Sequence, residues 1–230
     1  MSWIITGSEK YETDPYRSQV SLLLHGDGAN GSTTITDSSP SPKTVLPLYN
    51  AQISTAIADP FGNNTGVIAF DNVQDYLVLP TSIDFALGDT WTVEAWMYCN
   101  VVGSGVNRNA LLALLASTGF LHIYVETGGN FTVRAGNVGS DVVAAGAVIA
   151  QEWQFWAVSC ASNVATIYLN GQSVASGPVS GSVSAQSGRV GTVSGFNYSL
   201  DGYIDDLRIT KGVARYTANF TPPTAPFPDI

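Results

Sequence analysis

The stretch "ATIYLNGQSVAS" (Ala165–Ser176) contains the clearest structural signal in the sequence. Apolar and polar residues alternate on both sides of Asn170-Gly171, and alternation is the period of a half-buried strand. The Asn-Gly dipeptide accepts the positive φ angles of a two-residue type I′ turn. We therefore predict a β-hairpin here, and with it an antiparallel sheet.

Similar alternating or apolar segments follow one another along the chain. They include "SQVSLLLH", "GVIAFD", "YLVLP", "WTVEAWMYC", "LHIYVET", "FTVRAG", "WQFWAVSC" and "GYIDDLRIT". Helix signals are almost absent, and the apolar run "NALLALLAST" is short enough to be a buried strand instead. Roughly a dozen short strands, separated by Gly and Asn, are typical of a β-sandwich or jelly roll.

The composition favours β structure and excludes several classes of partner. Only 12% of the residues are charged, against about 25% in typical soluble domains, and Gly, Ser, Thr and Asn take their place. The net charge is −9 without any basic cluster, so nucleic acid and anionic membranes are poor partners. No apolar run reaches the roughly 20 residues of a membrane span, so membrane insertion is not expected.

The sequence predicts one β domain with an extension at each end. Residues 1–17 form an N-terminal arm, residues 18–220 the domain, and residues 221–230 a Pro-rich tail. Prolines exclude a helix from "TPPTAPFPDI" and suit an extended segment laid over a surface, either that of its own domain or that of another subunit. The amino terminus lacks the basic and long apolar regions of a secretory signal, so export by a signal peptide is not expected.

Cys99 and Cys160 each end an apolar strand-like run, "TVEAWMYC" and "FWAVSC". The two residues are therefore candidate neighbours in a sheet. Two buried free thiols and one disulfide bridge are both compatible with this placement. No cysteine pair has the spacing of a metal site.

Asp205 is the most unexpected residue of the segment "GYIDDLRIT" (Gly202–Thr210). Strict alternation places Asp205 on the same face as Leu207 and Ile209, which is the apolar face. An unpaired buried carboxylate is costly, so something must compensate its charge. Asp27 lies in the Gly-rich segment "HGDGANGS", where free backbone carbonyls suit a hard cation, although an Asp in such a loop also serves as a plain turn residue.

Catalytic residues are not evident, and ligand-binding candidates are few. Glycan-cleaving enzymes use two acids about 5 to 10 Å apart, and on a single strand such a pair would lie on one face. Glu94 in "WTVEAWMYC" has no second acid among its same-face neighbours. Sugar rings stack on aromatic side chains. We assign the strand residues Trp91, Trp96, Trp153 and Trp156 to the core. Phe196 and Tyr198, in the loop-like segment "GFNYSLDG", remain as the candidate ligand-binding residues.

Three stretches in the same order resemble laminin-G-like domains of the concanavalin A-like lectin/glucanase superfamily. They are "IAFDNVQDYLVLPTSIDFALGDTWTVEAWMY", "EWQFWAVSCASNVATIYLNGQSVASG" and "FNYSLDGYIDDLRITKGVARYTANFTPPTAPFP". The resemblance implies an all-β fold, a two-sheet antiparallel jelly-roll sandwich. In that superfamily an Asp of a strand patterned like "IDDLRI" helps to bind a structural Ca²⁺ with carbonyls from the amino-terminal region. We therefore expect Asp205, with Asp27, to bind calcium, and backbone N–H groups or an arginine are the alternative partners of Asp205.

The segments "SLLLHGDGANGSTTITDSS" and "ITKGVARYTANFTPPTAPFP" are similar to domains of tailed-phage structural proteins. This similarity implies a non-enzymatic virion component, a capsid decoration or a fibre. Such a module is exposed on the virion surface, contacts other virion proteins or sister subunits, and binds host-surface glycans. The alternatives are a polysaccharide-active glycoside hydrolase of the same fold and a bacterial cell-surface lectin. The superfamily's hydrolases carry a Glu-x-Asp-type motif on a central strand, and "WTVEAWMYC" departs from it.

Overall fold

The computed structural model describes residues 14–102, 109–193 and 198–229. Within them the chain forms strands β1 (Val20–Leu24), β2 (Leu46–Leu48), β3 (Gln52–Ser54), β4 (Val67–Asp71), β5 (Tyr76–Leu79), β6 (Trp91–Cys99), β7 (Asn109–Leu115), β8 (Phe120–Glu126), β9 (Asn130–Gly136), β10 (Asp141–Ala144), β11 (Trp153–Ala161), β12 (Val164–Leu169), β13 (Gln172–Pro178), β14 (Ser187–Val190), β15 (Thr192–Val193), β16 (Tyr198–Ser199) and β17 (Asp201–Lys211). Single 3-10 turns occupy Arg17–Gln19, Ile83–Phe85 and Thr127–Gly129. None of the described helical turns is long and apolar enough to cross a membrane.

Two antiparallel sheets pack face to face. The front sheet has the order β13-β12-β11-β6-β17-β4-β3, with β1 also paired to β17, and the back sheet has the order β10-β9-β8-β7-β14-β5-β2. The predicted hairpin joins β12 to β13, and both turn residues have the positive φ that a type I′ turn needs, 47° at Asn170 and 78° at Gly171. The apolar run "NALLALLAST" supplies strand β7. The predicted two-sheet jelly-roll sandwich is confirmed.

Apolar side chains from the facing sides of the two sheets fill the space between them. Trp156 of the front sheet stacks on Phe131 of the back sheet, with ring centroids 4.0 Å apart, and Trp91 is fully buried. Cys99 and Cys160 are both buried and free. Of the two cysteine states that the sequence allows, the structure therefore contains the free thiols.

A β-bulge at Asp206 corrects the predicted face assignment of β17. The register of β17 against β6 shifts between Asp205 and Arg208, and Asp206 has a φ of 52°. An extra residue in one strand reverses the alternation beyond it. Leu207 and Ile209 therefore join the core between the sheets, whereas Asp205, opposite Trp96, lies on the outer face of the front sheet. The prediction that Asp205 shares a face with Leu207 and Ile209 is wrong.

The C-terminal segment, residues 212–229, covers part of that outer face. Phe227 is buried there against Phe155, Tyr168 and the strand β1 residues Val20 and Leu23. Of the two surfaces that the sequence offers for the Pro-rich tail, the structure therefore places it on its own domain. Of the N-terminal arm, residues 1–13 lie outside the described residues.

His25, at the end of β1, connects the tail to the bulge. Its Nδ1 is 2.6 Å from Asp206 Oδ1, and its Nε2 is 2.9 Å from Asp229 Oδ1. The other carboxylate oxygen of Asp206 accepts the Phe227 backbone N–H at 2.8 Å. Burial opposes the charge of His25, but the hydrogen bonds and charges of Asp206 and Asp229 outweigh it and raise the pKa of His25 to about 9. An imidazolium thus joins strand, bulge and tail.

His122 is held neutral on the back sheet, which predicts an acid-dependent loss of stability. Its ring stacks on Phe120 with centroids 4.6 Å apart, and burial together with the charge of Arg134 lowers its pKa from 6.5 to about 4. Between pH 6.5 and about 4, His122 binds a proton in the unfolded chain but not in the folded chain. The contribution of His122 is therefore fully present above pH 6.5 and is lost as the pH falls through about 4.

We expect His122→Gln to reduce the loss of unfolding free energy between pH 7 and pH 4.5. Urea unfolding of both proteins at the two pH values measures it, and carboxylates common to both cancel in the difference. An identical pH dependence in the variant would contradict the assignment.

Candidate functional site

Three aromatic side chains form a row across the outer face of the front sheet. Trp153 of β11 pairs with Tyr98 of β6, and Tyr98 pairs with Tyr203 of β17. Their ring centroids are 5.6 Å and 5.7 Å apart, and the rings meet edge to face. All three side chains are half-buried. Because neighbouring strands lie about 4.8 Å apart, this aromatic row is roughly 10 Å long.

Gly202 allows the strands of the row to approach each other closely. It precedes Tyr203 in β17 and has a φ of 153°. A Cβ at this position would overlap the backbone carbonyl oxygen of Tyr98. A glycine is therefore required where β17 and β6 place their two tyrosines side by side.

Polar side chains border the row at the next cross-strand position. Asp71 of β4 pairs with Asp201 of β17, and Asn100 Nδ2 donates to Asp201 Oδ1 at 2.8 Å. Burial alone would raise the pKa of Asp71, but hydrogen bonds from Asn50 Nδ2 and the Val73 N–H outweigh it and lower that pKa. A charged carboxylate and an amide therefore stand beside the aromatic rings, as hydroxyl-rich ligands require.

The loop of residues 55–65 borders the row on its other side. Asp59 fixes this loop by accepting the backbone N–H groups of Phe61, Asn63 and Thr65. Trp153 Nε1 donates to the Ala58 carbonyl at 2.9 Å, which sets the orientation of the indole. The loop therefore holds the indole of Trp153 in place.

The structure describes one of the two predicted ligand-binding residues. Phe196 lies outside the described residues, and Tyr198 begins strand β16, which pairs with β15. The prediction that the four strand tryptophans are in the core is correct for Trp91 and Trp156, but Trp96 and Trp153 lie on the outer face of the front sheet. Trp153 and Trp156 are three positions apart on one strand, and residues at odd spacing face opposite sides. This spacing was the signal that one of the pair had to face outward.

Glu94, the strand acid considered as a catalytic candidate, is neutralised by its neighbours. It is fully buried and accepts hydrogen bonds from Arg208 Nε at 2.9 Å and from the Tyr216 hydroxyl at 2.5 Å. Asp14 binds the second guanidinium of this cluster, Arg215, at 2.7 Å and also Arg208 at 3.1 Å. The burial of Tyr216 and the charge of Glu94 raise the pKa of that hydroxyl. Glu94 is therefore an ion-pair partner under the tail.

Asp205 is a buried carboxylate with little compensation. The residue is only 2% exposed, and its side chain accepts the backbone N–H of Asp206 at 2.9 Å. Burial, followed by the negative charges of Asp206, Asp27 and Asp59, raises its pKa to about 9. Asp37 provides a contrast, because it accepts hydrogen bonds from the backbone N–H groups of Leu23, Ser39 and Lys43.

The surroundings of Asp205 offer oxygen donors of the kind that calcium prefers. Gly26 packs directly on the carboxylate, since a Cβ there would lie 3.1 Å from Asp205 Oδ1, and the carbonyl oxygens of Gly26 and Gly28 both lie close to Gly66. Asp27 is exposed in the same turn. In the described residues no three His, Cys, Asp or Glu side chains form a group that could hold a metal ion. A calcium ion here would therefore depend on Asp205 and backbone carbonyls.

The two-sheet fold is that of a lectin-like β-sandwich. A family model described as the concanavalin A-like lectin/glucanases superfamily matches residues 71–215. The chain belongs to this superfamily, as its sequence predicts. No curated protein matches the sequence significantly.

Solved structures with the same fold include toxin binding domains and one domain of an arabinanase. The botulinum neurotoxin serotype D binding domain has a TM-score of 0.64 and 12% identity over 86% of this chain and 49% of its own. Domain 4 of an extracellular arabinanase from Geobacillus stearothermophilus, in complex with arabinotriose, has a TM-score of 0.62 and 16% identity over 85% of this chain and 95% of its own. The chain spans about half the length of the neurotoxin domains, and identities this low establish the fold alone.

Proposed function

We propose that the protein is a non-enzymatic, lectin-like module that binds glycans on the aromatic row. The observation that carries the proposal is the row itself: Trp153, Tyr98 and Tyr203 are in register and half-exposed. The C–H faces of sugars stack on such rings, and hydroxyl groups hydrogen-bond to acids and amides such as Asp201 and Asn100. The arabinotriose bound to the structurally similar arabinanase domain supports this ligand class.

Trp153→Ala is expected to weaken glycan binding about tenfold or more, because it removes the largest ring of the row. Tyr98→Ala and Tyr203→Ala should weaken it in the same way. Isothermal titration calorimetry with arabinotriose and a panel of neutral cell-surface oligosaccharides measures the effect. Val164→Ala, at an exposed position of the same sheet, is the matched control. Unchanged affinity in all three aromatic variants would contradict the proposal.

The absence of catalysis is part of the proposal. Its support is the pairing of Glu94 with Arg208 and Tyr216, since a buried, ion-paired carboxylate cannot reach a glycosidic bond as acid or nucleophile. Release of reducing ends from a polysaccharide panel by the purified protein would overturn this part and favour the hydrolase alternative.

We further propose that the module is an exposed decoration or fibre component of a phage virion, in contact with other virion proteins or sister subunits. The support is the similarity of "SLLLHGDGANGSTTITDSS" and "ITKGVARYTANFTPPTAPFP" to tailed-phage domains. Electron microscopy of particles with this chain traced in the map tests it. Location on a bacterial cell wall instead would favour the cell-surface lectin.

We also propose that Asp205, aided by Asp27 and the carbonyls of Gly26 and Gly28, holds a structural calcium ion. A cation would keep charged a carboxylate whose pKa otherwise rises to about 9. Calcium at about 100 times its dissociation constant should add about 2.7 kcal/mol of stability. Thermal unfolding with calcium and with chelator measures this difference.

Asp205→Asn is the informative variant for the calcium proposal. In chelator it should be at least as stable as the wild type, because burial already favours a neutral side chain at this position. It should also lose the response to calcium. A calcium response of equal size in the variant, or none in the wild type, would contradict the assignment.

A further inference from the structure

A second cluster of aromatic and cationic side chains lies on the opposite sheet. Tyr49, in the turn after β2, is 65% exposed, and its ring centroid is 6.0 Å from that of Tyr76 on β5. The guanidinium of Arg189, on the adjacent strand β14, lies 4.7 Å from the Tyr76 ring centroid. These three residues, the Tyr49 cluster, occupy the β2 end of the back sheet.

The exposed position of Tyr49 is fixed by two acids. Tyr49 has a φ of 58°, which bulky residues rarely adopt. The next residue, Asn50, donates its backbone N–H to Asp75 Oδ1 at 2.7 Å and its side-chain amide to Asp71 Oδ2 at 2.9 Å. Asp75 is fully buried. The turn is therefore anchored in a strained conformation that holds a tyrosine ring in solvent.

Arg189 differs from the other described lysine and arginine side chains, each of which bonds to a carboxylate or a backbone carbonyl. These are Arg17, Lys43, Arg134, Arg208, Lys211 and Arg215. In the part of the chain that the structure describes, Arg189 is held by the Tyr76 ring and makes no ion pair. A guanidinium stacked on a ring keeps its edge free for bidentate contact with a planar anion. On a chain with net charge −9, this guanidinium without an ion-pair partner is available to bind an anionic group of a ligand.

We propose that the Tyr49 cluster binds an acidic saccharide, with the sugar carboxylate on Arg189 and the sugar ring on Tyr49. A uronic acid carries both a planar carboxylate and an apolar ring face, and the cluster offers a partner for each. An acidic peptide fits less well, because the edge strand β2 contains Pro47 at its centre, and proline opposes addition of a peptide strand. This site uses none of the three rings of the aromatic row and does not require them.

Calorimetry with trigalacturonate as the probe tests the inference on the full chain. We expect Arg189→Gln to weaken binding at least about tenfold, the cost of losing a charged bidentate contact. Arg189→Lys should be intermediate, and Tyr49→Ala should also bind more weakly. Wild-type affinity should fall as salt is raised. Val138→Ala, at an 82% exposed position, is the control, and thermal unfolding of each variant checks that it folds.

Four further arms distinguish the Tyr49 cluster from the aromatic row and from a site for any polyanion. Methyl-esterified trigalacturonate should not bind, since it lacks the carboxylates. Trp153→Ala should retain trigalacturonate binding, and Arg189→Gln should retain any arabinotriose binding. The proposals for the two sites are therefore tested independently. The inference is overturned if the wild type does not bind trigalacturonate, if binding survives Arg189→Gln or requires Trp153, or if a hexaglutamate peptide binds equally well.

Discussion

Replacing Glu94 by alanine is expected to lower the free energy of unfolding by about 3–5 kcal/mol, the usual cost of breaking a buried ion pair. The variant removes the acceptor of the Arg208 Nε–H and of the Tyr216 hydroxyl. Arg208 is then left buried with one charge partner, Asp14, in place of two. Urea unfolding followed by fluorescence measures the difference.

Two other variants separate the ion pair from simple loss of a glutamate. Glu152→Ala removes an exposed acid just before β11 and should change the stability by less than about 0.5 kcal/mol. Glu94→Gln keeps a hydrogen-bond acceptor and should fall between Glu94→Ala and the wild type. A loss below about 1 kcal/mol in Glu94→Ala, far under the usual cost of an orphaned buried charge, would mean that solvent compensates the cluster. The description of Glu94 as a buried structural acid would then fail.

The strands could be predicted from the sequence because their signals are local. Alternation, the Asn170-Gly171 turn and the spacing of apolar runs each depend on neighbouring residues. The bulge in β17 could not be predicted in the same way. It depends on a positive φ at Asp206. Asp adopts this conformation more often than most residues, but an Asp within a strand-like segment does not by itself predict it. This single bulge residue puts Asp205 on the opposite face of β17 from Leu207 and Ile209.

The aromatic row was only partly accessible to sequence reasoning. The odd spacing of Trp153 and Trp156 required one of them to face outward. Its neighbours Tyr98 and Tyr203 come from strands that are far apart in the chain, and only the register of three strands brings them together. Glu94 was recognised as a strand acid, but its partners Arg208 and Tyr216 follow more than a hundred residues later. Pairings of this kind depend on topology.

Phe227→Ala is expected to release the C-terminal segment and to cost about 3 kcal/mol or more, the range for removing a buried phenylalanine ring. Phe227 fills the cluster on the outer face of the front sheet, and the Arg208 guanidinium lies 3.5 Å from its ring centroid. Loss of the ring therefore removes apolar contacts and uncovers a cation that pairs with Glu94. Equilibrium unfolding gives the total loss of stability.

Hydrogen exchange distinguishes detachment of the tail from general weakening of the fold. The Phe227 backbone N–H donates to Asp206 and should lose its protection with the tail, whereas the amides of β6 and β11 should stay protected if detachment is local. Thr224→Ala, at an exposed position of the same segment, should leave that protection unchanged. His25→Gln removes the charged link to Asp206 and Asp229 and should weaken tail protection without disturbing the apolar core. If Phe227→Ala leaves the tail amides protected, the tail is held by its polar contacts alone, and Phe227 is not its anchor.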